Sequence, residues 1–190
     1  MGHSQAEKAQ SRERILTEAA RQIREGGLES VSVGKLMKSV NLTHGGFYGH
    51  FASRSDLLAQ ALKRALVQGA EAASRASSGS TRPRDFSTFV RSYLSRAHRD
   101  SRNTGCAIPA LISDVGRADE TSRAVMATHI ENYIASIDRA LGGGQDERAI
   151  VAVSAMIGAL AISRVMTDPQ RSDAVLRAVR DHVISLKPGD

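Results

Sequence analysis

Two short apolar groups joined by a very short turn constrain this chain more than any other feature. Val33, Leu36, Met37 and Val40 recur at i, i+3, i+4 and i+7, the spacing of one face of a short helix. Ser32 is placed to cap that helix. Asn41 tolerates a left-handed backbone and predicts a tight turn. Thr43 then predicts the cap of a second short helix, on which Phe47 and Phe51 lie four apart. Leu36, Val40, Phe47 and Phe51 would pack the two helices together. The second segment, LTHGGFYGHF, is an odd helix, because glycine costs about 1 kcal/mol relative to alanine in a helix interior. Gly45, Gly46 and Gly49 make sense if this backbone must come close to something outside the chain.

The rest of the chain repeats the helical period and shows no credible strand. Ile15, Leu16, Ala19, Ala20 and Ile23 predict a helix over residues 10–23, stopped at Gly26-Gly27. Ser53 and Asp56 form a capping-box pattern ahead of a long helix to about Ala76. SSGSTRPR, residues 77–84, is the clearest loop. Further helices are predicted over 85–99, from Pro109 to Val115, over 119–141, over 145–167 and over 172–186. Gly142-Gly143-Gly144 and Asp168-Pro169 break the last three apart. The expected fold is all-α, with about nine helices. A three-helix N-terminal unit is followed by a larger helical bundle.

Charge separates the same two parts. Residues 1–84 carry 13 Lys/Arg against 7 Asp/Glu, whereas residues 85–190 carry 13 of each. The whole excess of +6 therefore lies in the N-terminal part. No acidic residue occurs between Glu29 and Asp56, where Lys35, Lys38 and Arg54 lie. Such a patch attracts a polyanion such as nucleic acid, or is a solvated basic face with no partner. No uninterrupted apolar run reaches the roughly 18 residues of a membrane span, and a single cysteine excludes an internal disulfide. A soluble, cytoplasmic protein with no membrane partner is expected.

A short helix, a turn and a second short helix match the helix-turn-helix arrangement. The stretch VSVGKLMKSVNLTHGGFYGHFASRSDLLAQAL resembles the DNA-binding domain of the TetR/AcrR family of bacterial transcriptional regulators. Phe47, Tyr48, His50, Phe51, Arg54, Asp56, Leu57 and Leu58 carry the likeness. It implies a DNA-binding domain over 8–68, with its motif at about 31–51, and a ligand-binding and dimerisation domain over 85–190. In such modules the start of the second helix reads base edges in the major groove, which nominates Thr43, His44 and Gly45. Tyr48, Lys35, Lys38 and Arg54 are nominated for phosphate contacts, with backbone N–H groups near Ser32 and Thr43. His50 is a packing or phosphate-facing residue. His44 and His50 would lie about 120° apart on a helix, with no cysteine or acidic partner nearby, so no metal is expected.

The likeness also implies a double-stranded DNA operator, a small-molecule effector and a homodimer, with no cofactor. Two sequence features support dimerisation independently. Residues 145–167 are apolar almost all round, which calls for burial on every side, and Ser154, Ala155, Gly158 and Ala159 would let a second helix approach. Ile162, Val175 and Val179 complete the expected interface, the alternative being one central helix in a monomer. Tyr93, His98, Ile112, Met126, His129 and Tyr133 could line a cavity or be plain core. Cys106, just before a helix start, is either a thiol activated by the helix dipole, and so a redox or electrophile sensor, or a small packing residue. The resulting reading is a regulator, a repressor in its simplest form. A small helical enzyme is the alternative from another class, but no phosphate loop, metal-ligand spacing or nucleophile elbow supports it.

Overall fold

The computed structural model describes residues 5–76, 86–144 and 146–186. Among them every regular element is helical, as the periodicity predicts. Helix α1 spans Gln5–Gly26, α2 Val33–Ser39 and α3 Arg54–Ala76. Helices α4 (Phe86–Tyr93), α5 (Arg96–Asp100), α6 (Ile108–Gly116), α7 (Glu120–Ala140), α8 (Asp146–Val165) and α9 (Pro169–Ser185) follow. Two 3₁₀ segments, Leu28–Ser30 and His44–Gly49, flank α2.

Helix α1 lies along α3. Ile15, Ala19 and Ile23 from one, and Leu57, Ala61 and Leu62 from the other, are fully buried. Arg24 pins the pair by donating to the Ala65 carbonyl (3.2 Å) and to Gln68 Oε1 (2.8 Å). Helices α7, α8 and α9 form a second packed group, and α3 also packs on α7. One long helix therefore belongs to both groups.

Several boundaries differ from the sequence reading, each for a local reason. The helix expected over 85–99 is two helices. The chain breaks after Tyr93, and Ser95 caps α5 by accepting from the His98 N–H at 3.1 Å. The predicted loop at 77–84 lies outside the described residues. Helix α9 starts at Pro169, because Asp168 caps it by accepting from the Gln170 N–H at 2.9 Å. Helix α8 was expected to be buried all round. Its length and mean hydropathy of 1.7 would suit a membrane span. Within the single chain only one side is covered: Ala152, Met156 and Leu160 are buried against α7 and α9, while Val151, Ile162 and Val165 are exposed on the other.

Candidate nucleic-acid interface and effector cavity

The turn after α2 is built as its residues dictate. Asn41 takes φ 58°, and the Leu42 N–H bonds back to the Met37 carbonyl at 2.9 Å. Thr43 Oγ1 accepts from the Gly46 N–H at 3.3 Å and caps the second element. Ser32 makes no side-chain cap; its carbonyl accepts from Leu36 at 2.9 Å. The second element is a 3₁₀ helix, not the α-helix expected. Three glycines in six residues supply too little side-chain packing to hold a longer α-helical turn. Phe47 and Phe51 stack with centroids 5.6 Å apart and are 1% and 2% exposed. They bury the inner face in the same core as Leu36 and Met37.

The outer face is bare. Lys35 and Lys38 on α2, and Thr43, His44, Gly45 and Gly49 after it, are all exposed, and Tyr48 is 70% exposed. A β-carbon on Gly45 or Gly49 would meet nothing within 4 Å. The protein's own packing thus does not call for glycine at either position. His44 lies over Gly34 of α2, whose hypothetical β-carbon would be 3.7 Å from its ring.

Arg54 is engaged differently from the sequence reading. Its guanidinium donates to the carbonyls of Val31 (3.2 Å) and Leu28 (3.2 Å) and to the Glu29 carboxylate (3.1 Å). It holds the segment before α2 to the start of α3. His50 is half-buried with Nδ1 unpaired among the described residues. Burial, then the charges of Lys8 and Arg12, hold its pKa below the usual imidazole value. Arg12 lies 4.6 Å over the Phe51 ring and donates to Gln60. These two α1 cations carry no periodic signal that sequence reading could use.

The predicted ligand residues divide. Tyr93, His98, Cys106, His129 and Tyr133 line two adjoining cavities of about 410 and 280 Å³ that share Gly69, Phe89 and Tyr93. Ile112 is 40% exposed and Met126 is buried in the core, and neither lines a cavity. The rings of Phe89, Tyr93 and Tyr133 form a triangle with sides of 5.9–6.1 Å. Phe89 went unrecognised because an aromatic on an apolar stripe reads as core. Gly69 did leave a signal, a glycine inside an apolar helix. A β-carbon there would be 3.0 Å from the Gly105 carbonyl and 3.2 Å from Cys106 Cα, so α3 rides directly on that loop.

His98 organises the loop. Its Nδ1 lies 2.7 Å from the Tyr93 carbonyl, which only accepts, so Nδ1 carries the proton. Nε2 then accepts from the Cys106 N–H at 3.0 Å. This neutral tautomer is locked, and burial lowers the His98 pKa. Below about pH 6.5 the unfolded chain takes up a proton that folded His98 resists, so stability is present above that pH and falls as pH drops. His50 and His129 are depressed in the same direction. Thermal unfolding at pH 5.5 should come roughly 2–4 °C below that at pH 7.5. His98→Gln should flatten this slope when both are measured by circular dichroism.

Of the two readings of Cys106, an activated thiol or a packing residue, its surroundings favour the second. It lies just before α6, but burial raises its pKa despite contacts from Tyr93, the Ile108 N–H and Arg164. From there α6 runs to Asp114, whose carboxylate accepts from the Leu28 N–H at 3.1 Å. Gly27, at φ 81°, makes room for it, since a β-carbon there would be 2.3 Å from the Asp114 oxygen. Leu28 is thus gripped by Asp114 through its N–H and by Arg54 through its carbonyl.

Of the expected interface residues, Ser154 and Ile162 are exposed, and Ala155, Gly158, Val175 and Val179 are half-buried. Ala159 is buried in the chain's own core and is unavailable to a partner. No group of His, Cys, Asp or Glu among the described residues could hold a metal.

Residues 15–61 match the model of a family described as "Bacterial regulatory proteins, tetR family". Solved structures extend the likeness over the chain. E. coli NemR, crystallised in its reduced form, is 20% identical, with a TM-score of 0.75 over 95% of this chain and 100% of that one. SCO4454, a TetR-family transcriptional regulator from Streptomyces coelicolor, is 22% identical, with a TM-score of 0.69 over 99% and 98%. A TetR-family transcriptional regulator from Cytophaga hutchinsonii is 18% identical, with a TM-score of 0.73 over 99% and 100%. No curated protein matches.

Proposed function

We propose that this chain, whose residues 15–61 match the model of the tetR family of bacterial regulatory proteins, is a repressor that binds a palindromic DNA operator as a homodimer. In this reading a small molecule filling the cavity beside Tyr93 releases it. The observation that carries DNA binding is the bare outer face of His44–Gly49. It is glycine-rich where the fold needs no glycine, and it lies beside Lys35 and Lys38 with no acid between Glu29 and Asp56. Thr43, His44 and Gly45 are the base-facing residues. Tyr48, Lys35, Lys38 and the backbone near Ser32 face phosphates, and His50 borders them. Arg54 positions this unit rather than reaching outward.

Release follows the contacts already described. The start of α6 borders the cavity at Ile108, and Asp114, about 9 Å further along at 1.5 Å per residue, holds Leu28. An occupant that shifts α6 would pull on the Asp114–Leu28–Arg54 chain and re-aim the two reading elements. Half-sites one turn apart, roughly 34–36 Å, tolerate little change in spacing. The cavity is favoured over thiol chemistry at Cys106 because that thiol's pKa is raised, not lowered.

Selection of bound sequences from a random duplex pool, followed by mobility shift, tests the proposal. The protein should select a palindrome and retard it against competitor DNA. Gly45→Ala should leave stability unchanged or raise it by up to about 1 kcal/mol. Its methyl group should weaken operator binding on the order of tenfold. Failure to select any sequence would sink the reading, and normal binding by Gly45→Ala would remove Gly45 from the interface.

A further inference from the structure

The cavity's wall has a chemistry that narrows its occupant. Among the described residues, neither adjoining space is lined by a carboxylate, a guanidinium or an ammonium. The titratable groups that do line them are held neutral. His98 is locked as one tautomer. Burial lowers the pKa of His98 and His129 and raises that of Cys106, Tyr93 and Tyr133. The charge of Arg164 is felt by Tyr93 and Cys106, but its guanidinium donates to the carbonyls of Arg99 and His98 and does not line either space. An ion entering here would lose its hydration with no counter-charge in the wall to pair with directly.

Two polar atoms in this wall lack partners. The hydroxyls of Tyr93 and Tyr133 are buried, and neither makes a hydrogen bond of ordinary geometry within the chain. Tyr133 approaches Tyr93, and Tyr93 approaches the Cys106 thiol, closely enough for each to affect the other's ionisation, but none of these approaches has the geometry of a full hydrogen bond, so both hydroxyls keep capacity for a better acceptor. A buried hydroxyl without an acceptor is unfavourable, and a ligand oxygen would remove that penalty. The third wall is the ring triangle with Phe89, which suits a flat apolar face.

We propose that this cavity takes a small, uncharged molecule with a flat ring and a carbonyl or similar acceptor oxygen, which accepts from the hydroxyls of Tyr93 and Tyr133. The volume of about 280 Å³ beside Tyr133 suits one ring with a short substituent. Calling this occupant the effector rests on the regulator reading above; its chemistry does not.

The test is calorimetric titration of the full chain at pH 7.5 with three probes of similar size: acetophenone, ethylbenzene and benzoate. Acetophenone should bind about tenfold more tightly than ethylbenzene, and benzoate should bind most weakly. Tyr93→Phe/Tyr133→Phe should reduce acetophenone to the affinity of ethylbenzene and leave ethylbenzene unchanged. Benzoate as the tightest probe, equal binding of all three, or no binding by any would overturn the proposal, and the wild-type ranking decides this even if the double variant is unstable. Operator binding is measured separately without probe. If acetophenone binds as expected but the protein retains no DNA, the regulator reading fails and the cavity assignment stands.

Discussion

Phe47→Ala should lower global stability by about 3–5 kcal/mol and abolish operator binding. Phe47 is 1% exposed and stacks on Phe51, and it is the only fully buried side chain within the His44–Gly49 segment. The rest of that segment is three glycines and two exposed rings, so no other side chain in it is buried against α2. Removing the ring leaves a cavity that the 3₁₀ turn cannot close without losing its register. Denaturant unfolding followed by circular dichroism measures the loss. Phe47→Leu, which keeps most of the buried volume, should lose less than half as much and retain DNA binding. A stable, DNA-binding Phe47→Ala would mean that the segment is held by contacts other than those described.

Charging the open side of α8 should be the second large effect. Val151, Ser154, Ala155, Gly158, Ile162 and Val165 recur three or four apart on that side. Val151 is 52% exposed, Ile162 49% and Val165 79%. An apolar helix with one face packed and the other bare is the arrangement that a second copy would cover. The wild-type protein should have twice the chain mass by light scattering. Val151→Glu/Val165→Glu should be a monomer, with association weakened about a thousandfold or more, since burying unpaired carboxylates costs several kcal/mol. Its helicity should be unchanged, because both side chains are exposed in the single chain. A monomeric wild type, or a variant that stays dimeric, would rule out this face as the interface.

The reading unit was largely legible before folding. The period of Val33 to Val40, the turn at Asn41, the cap at Thr43 and the pair Phe47 and Phe51 are local signals, and the structure realises each of them. The 3₁₀ form of the second element was not legible. An i+3 and an i+4 hydrogen bond suit the same apolar spacing, and packing chooses between them. The cavity was half legible. Tyr93 and Tyr133 were nominated, yet Ile112 and Met126 were nominated on the same grounds and point elsewhere. An apolar residue at helical spacing looks the same whether it meets core, cavity or solvent. Asp114 gave no signal, because its partner is the backbone N–H of Leu28, 86 residues away in the chain.

By itself, then, the sequence determined the helical class, the helix-turn-helix unit and the basic N-terminal part, since period, turn chemistry and charge act over a few residues. Only the tertiary structure decided which rings surround a space, that the space is walled by neutral groups, that Arg54 faces inward, and which side of α8 is left open. Those properties depend on which distant segments come to rest against one another, and no local pattern encodes that.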